Sequence, residues 1–130
     1  MTEHQNASVL RRAYEAFARG DFAALSELLA DDVVWHVPGR SLVSGSHHGR
    51  EALLGYFGRL MELSGGTFKA EPHDILANDR HVVSLEHLTA QREGKLLDVE
   101  LALVVRVGDG RIVEARDYFS DQNAWDEFWL

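Results

Sequence analysis

Fifty-three residues from Thr67 to Phe119 repeat with a period of two, and this stretch limits the chain more than any other. Four runs follow one another: Thr67 to Leu76, Arg80 to Gln91, Leu96 to Val107 and Arg111 to Phe119. They are separated only by Asn78-Asp79, Glu93-Gly94 and Gly108-Asp109-Gly110. Alternating side chains leave a strand on opposite faces. Turns this short join antiparallel neighbours, so the stretch predicts a four-stranded meander. The faces differ. Leu97, Val99, Leu101, Leu103, Val105 and Val107 form an apolar side, with Asp98, Glu100 and Arg106 opposite. In the preceding run His81, Val83, Leu85, His87 and Thr89 fall together, and His87 reads as a polar intruder on an apolar face.

The last run, RIVEARDYF, places Val113, Ala115, Asp117 and Phe119 on one face. Asp117 is the only carboxylate in that set. A lone acid facing a core must find a partner, hold its proton more tightly, or line a cavity. Asp117 is therefore the first candidate for chemistry, as a general acid/base, with the imidazole of His87 as its expected helper.

The N-terminal half has helical periodicity. Val9, Leu10, Ala13, Tyr14 and Phe17 make one stripe of a helix over Ala7 to Arg19, with Gly20 just past its end. Asp21 suits the N-cap of a second short helix carrying Phe22, Leu25, Leu28 and Leu29. Val33 to Val37 predicts a strand ending at Pro38-Gly39, with Trp35 inward and His36 on the other parity. Arg40 to Gly49 predicts a loop with a short strand at Leu42-Val43. Ala52, Leu53, Tyr56, Phe57, Leu60 and Met61 mark a third helix. The tail carries Trp125, Phe128 and Trp129 at one-turn spacing, a set of rings that covers the sheet end, plugs a pocket or packs on another subunit.

Three helices on a curved, mainly antiparallel sheet make an α+β domain spanning residues 1–130. Helices across a twisted sheet can leave a conical cavity. Trp35, Tyr14, Tyr56, Phe57, Phe119 and Leu103 are its candidate lining residues, and His36 joins them if a bulge turns it inward.

A net charge of −8, with 21 acidic and 13 scattered basic residues, argues against nucleic acid. No apolar run approaches the ~20 residues of a membrane span, and MTEHQNAS does not read as a signal peptide. The expected location is cytoplasmic. The absence of cysteine excludes thiolate chemistry. Adjacent His47 and His48 lack further ligands at a metal-binding spacing, so no metal is expected there.

Two opening helices, DDVVWHVPG, the GREALLGYF helix and the closing GDGRIVEARDYFSDQNAWDEFW together resemble the SnoaL-like and ketosteroid-isomerase-like members of the nuclear transport factor two superfamily. The resemblance implies a cone-shaped α+β fold, often a homodimer through the outer sheet face. It also implies a small apolar ligand and no cofactor. The fold hosts isomerases, cyclases, epoxide hydrolases, dehydratases and binding modules, so it does not by itself choose among them.

Residue by residue, the isomerase's tyrosine, base and second acid fall on Ala13, Val37 and Leu103, none of which can do that chemistry. The epoxide-hydrolase Arg-x-Asp falls on Leu101 and Leu103. Asp117 agrees with the pocket-facing Asp of the polyketide cyclases. The implied function is acid/base chemistry of the isomerase, cyclase, dehydratase or hydratase type on an apolar oxygenated molecule. The alternative is a non-catalytic ligand-binding or dimerisation module. A carboxyl pKa raised toward neutrality separates the first from the second.

Overall fold

The computed structural model describes residues 3–130. The elements run α1 (Gln5–Arg19), α2 (Phe22–Glu27), β1 (Leu29–Val37), β2 (Gly45–His48), α3 (Arg50–Leu63), β3 (Lys69–Ala77), β4 (His81–Arg92), β5 (Lys95–Gly108), β6 (Arg111–Phe119) and α4 (Gln122–Phe128). The six strands form one sheet in the order β2-β1-β6-β5-β4-β3. Only the β1–β6 pairing is parallel. The expected α+β architecture stands. No helix among the described residues is long and apolar enough to cross a membrane.

Turn chemistry sets the register of the long strands. Glu93 and Gly94 both have positive φ, 50° and 80°, the conformation that lets a two-residue hairpin follow the natural twist of its strands. Arg92 therefore lies opposite Lys95, and the pairing continues through Glu86 opposite Leu101 and Ser84 opposite Leu103. Even residues of β4 thus share a face with odd residues of β5. The buried members of β4 are Val82, Ser84, Glu86, Leu88 and Ala90. This reverses the face expected for β4: Val83, Leu85 and His87 point outward. β5 is as expected, with Leu97 through Val107 buried at alternate positions.

A bulge modifies β6. Arg106 pairs with Glu114 but Val107 pairs with Ile112, so Val113 is an extra residue. Ile112 replaces Val113 on the inner face, while Ala115 and Asp117 remain inside.

The early segments differ in detail from the sequence expectation. β1 begins at Leu29 rather than Val33, because Leu29 pairs with Ile112 of β6 before the register shifts at Val34. The strand expected at Leu42-Val43 lies instead at Gly45–His48, where His47 pairs with Trp35. Val43 turns into the core, 2% exposed.

α1 and α3 cross the inner face and bury Leu10, Ala13, Leu53, Tyr56, Phe57 and Leu60 against it. The aromatic tail closes one end of this layer. Asp121 caps α4 by accepting from the Ala124 amide. Trp125 stacks on Phe119 with ring centres 4.2 Å apart, and Trp129 packs edge-on against Trp125 and Phe128. Arg92 and Lys95 donate to the Leu130 oxygen at 2.8 and 3.0 Å. Of the roles expected for the tail, it covers the sheet end and also lends Trp125 to the wall of the cavity described below.

Candidate functional site

Between the helices and the inner face lies a cavity with about 70 Å³ open to the centres of water-sized molecules. That is room for several waters or part of a small ligand, since one water needs roughly 10–15 Å³ on this measure. Its wall is almost wholly aliphatic and aromatic. Leu10 and Phe17 come from α1, Phe57 and Leu60 from α3, Leu101 and Leu103 from β5, and Trp125 from α4. Two carboxyls interrupt it, Glu86 from β4 and Asp117 from β6. Their exposures are 2% and 4%. No Lys, Arg or His is among the lining residues.

Asp117 lies opposite Leu103 in the β5–β6 register. Its Oδ1 accepts from the Trp35 indole N–H at 3.3 Å, across a sequence separation of 82 residues. Burial and the neighbouring Glu86 charge push its pKa from 3.8 to about 8, against the opposing pull of the Trp35 hydrogen bond. Glu86 is raised by burial to about 7, with hydrogen bonds from Tyr14 and Ser84 pulling the other way. The Tyr14 hydroxyl donates to Glu86 Oε2 and also lies 3.0 Å from Ser84 Oγ. Burial and these acids hold the Tyr14 phenol well above its ordinary range, so it remains a donor.

Tyr56 is 5% exposed and lines the same space. Its hydroxyl has no hydrogen-bond partner among the described residues, and burial together with Asp117 raises its pKa. The ring is held from behind by His47, stacked at 4.4 Å and 25°. His47 Nε2 lies 3.2 Å from the Val43 carbonyl, and desolvation lowers the imidazole's pKa.

The structure brings together most of the residues singled out in the sequence. Asp117, Trp35, Tyr14, Tyr56, Phe57, Phe119 and Leu103 all line the cavity. Two do not. His87 lies on the outer face, with its Nε2 2.5 Å from Asp98 Oδ1, and that hydrogen bond raises its pKa. The reason is the register of β4, which sends even residues inward. His36 also faces outward, with its ring nitrogens 2.9 Å from Ser46 Oγ and 2.9 Å from Glu114 Oε2. No bulge in β1 at Trp35 or His36 reverses that parity.

Sequence reasoning passed over Glu86, the residue next to His87. A signal was available in Glu93-Gly94: a two-residue turn fixes which parity of β4 joins the apolar face of β5.

A family model for the SnoaL-like domain matches residues 10–115. The chain belongs to the SnoaL-like family. Within it, an uncharacterized protein of Mycobacterium tuberculosis is 35% identical over 130 residues, covering 99% of each chain. Among solved structures, Bal32a from a soil-derived mobile gene cassette is 45% identical. It superposes with a TM-score of 0.94 over 97% of both chains. IdmH of Streptomyces antibioticus, described as a candidate polyketide cyclase, is 26% identical with a TM-score of 0.75, over 90% of this chain and 93% of its own. The shared architecture is that of the nuclear transport factor two-like fold.

Proposed function

We propose that this SnoaL-like protein is a cofactor-free acid/base enzyme of the isomerase, cyclase, dehydratase or hydratase type, acting on a small apolar oxygenated molecule. Glu86 and Asp117 would be its proton-transfer pair. One observation carries the reading: two carboxyls share an apolar cavity whose lining holds no basic side chain. Burial raises Glu86 to about 7 and Asp117 to about 8, so both exchange protons near neutrality rather than near pH 4. A half-protonated pair supplies an acid and a base at the same pH, which proton transfer between two substrate atoms requires. The Tyr14 donor favours the ionised form of Glu86, and a proton held on the pair is available to a substrate oxygen. The apolar wall would exclude water and bind the hydrocarbon part. Its likeness to IdmH supports the cyclase branch of this chemistry.

Deuterium incorporation into a panel of cyclic and aryl ketones in D₂O, followed by proton NMR, tests the proposal. Exchange should exceed the buffer rate and fall by roughly 10²–10⁴-fold in Asp117→Asn, the usual range for losing a general acid/base. Exchange that survives both Asp117→Asn and Glu86→Gln would falsify it.

The outer face is the proposed contact with a second copy of the chain. Tyr118 and Leu76 are each 54% exposed there, and Leu85, Ala102 and Val104 extend the apolar surface. Light scattering should give twice the mass of the chain, and a monomer at micromolar concentration would refute the assignment.

A further inference from the structure

The polar inventory of the cavity is unbalanced. Two of its N–H and O–H donors are already committed inside the protein, Trp35 to Asp117 and Tyr14 to Glu86, while the buried Trp125 indole N–H has no partner among the described residues. Asp117 Oδ2 accepts nothing from any described residue, although the residue is only 4% exposed. The Tyr56 hydroxyl, which can accept as well as donate, is likewise free. Two carboxyls therefore line a space with no basic side chain among its lining residues. The same space is lined by the aromatic rings of Trp35, Tyr56, Phe57 and Phe119. Aromatic faces attract a cation most strongly where water is excluded. Buried acids without a counter-charge, open acceptor atoms and surrounding rings together describe a receptor for a positively charged hydrogen-bond donor on an apolar body.

We propose that this cavity binds apolar amines in their ammonium form, with the charged nitrogen between Glu86 and Asp117 and the hydrocarbon against the aromatic wall. This goes beyond proton transfer on an oxygenated substrate and does not depend on it: the dyad serves catalysis half-protonated, whereas an ammonium ion takes the place of its protons. The titratable groups that face the site are Tyr14 from α1, Tyr56 from α3, Glu86 from β4 and Asp117 from β6. Both phenols are raised and stay neutral, so the carboxyls alone exchange protons when the amine enters. Binding must then release protons, and amine affinity must rise with pH as the pair ionises. A neutral ligand of the same shape should do neither.

Isothermal titration of the full chain with benzylamine and with benzyl alcohol, in buffers of different ionisation enthalpy between pH 6 and 8.5, decides the matter. Benzylamine should bind at least about tenfold more tightly than the alcohol, a difference of about 1.4 kcal/mol. It should release about one proton near pH 7 and strengthen toward pH 8. Glu86→Gln and Asp117→Asn, with folding checked by thermal melting, should each remove that preference while alcohol binding persists. Equal affinity for amine and alcohol, amine binding without proton release, or no amine binding at millimolar concentration would each overturn the proposal. These outcomes are separable from catalysis, because ketone exchange that needs Asp117 can persist in a protein that ignores benzylamine.

Discussion

Glu86 and His87 are consecutive on β4, and each shares its face of the sheet with an aspartate, yet the two pairs have opposite physics. On the outer face His87 contacts Asp98 in water, where solvent screens the charges and the pair contributes little. On the inner face Glu86 and Asp117 are both acids, are both buried, and have no basic side chain among the residues that line their cavity. The hydrogen bond to Asp98 favours the protonated form of His87, whereas the inner pair resists ionisation until pH 7 to 8. The difference comes from environment rather than residue type: an acid becomes a proton-transfer group at neutral pH when burial destabilises its charge.

The largest test of this contrast is turnover. Asp117→Asn should cost roughly 10²–10⁴-fold in ketone exchange, while Asp98→Asn on the outer side leaves it unchanged. Equal losses would dissolve the distinction between the faces.

Packing should sharpen the contrast next. Leu103, 2% exposed and opposite Asp117, should destabilise the protein by about 2–5 kcal/mol when cut to Ala. Val104, its outward-facing neighbour, should cost clearly less, as chemical denaturation can measure.

Stability should also depend on pH in opposite senses for the two faces. Glu86 and Asp117 have folded pKa values above their unfolded ones, so the folded chain holds more protons. Their contribution is complete below about pH 4 and is lost as pH rises through 7 and 8. The loss should be on the order of a few kcal/mol, and the double variant Glu86→Gln, Asp117→Asn should flatten it. Glu114, lowered chiefly by its hydrogen bond from His36, behaves the other way: its contribution is present at neutrality and lost on acidification. A wild-type stability curve that is flat between pH 5 and 8.5 would contradict the inner-face assignment.

The smallest effect belongs to Trp35→Phe. It removes the N–H that favours ionised Asp117, so the alkaline limb of the exchange profile should move to higher pH while the fold persists. His87→Asn should move neither limb.

Much of this was legible beforehand, for identifiable reasons. Strand alternation placed Asp117 among apolar neighbours, and helical spacing put Tyr14, Tyr56 and Phe57 on inward stripes. Both patterns are local and survive into the fold. β4 misled because Val83 and Leu85 make its outer face nearly as apolar as its inner one. Its parity follows from the Glu93-Gly94 turn rather than from hydrophobicity. The bulge at Val113 was hidden for a similar reason, since Ile112 and Val113 are equally suited to the core.

The order and type of the elements, the α+β class and the inward Asp117 follow from the order of residues along the chain, because periodicity and turn chemistry act over a few neighbours. That Glu86 joins Asp117 in one cavity, that Tyr14 reaches Glu86 across 72 residues and that no basic side chain is among the described lining residues were decided by tertiary structure. Proton affinity depends on what surrounds a group in three dimensions, and strand register and helix packing bring those surroundings together from distant parts of the sequence.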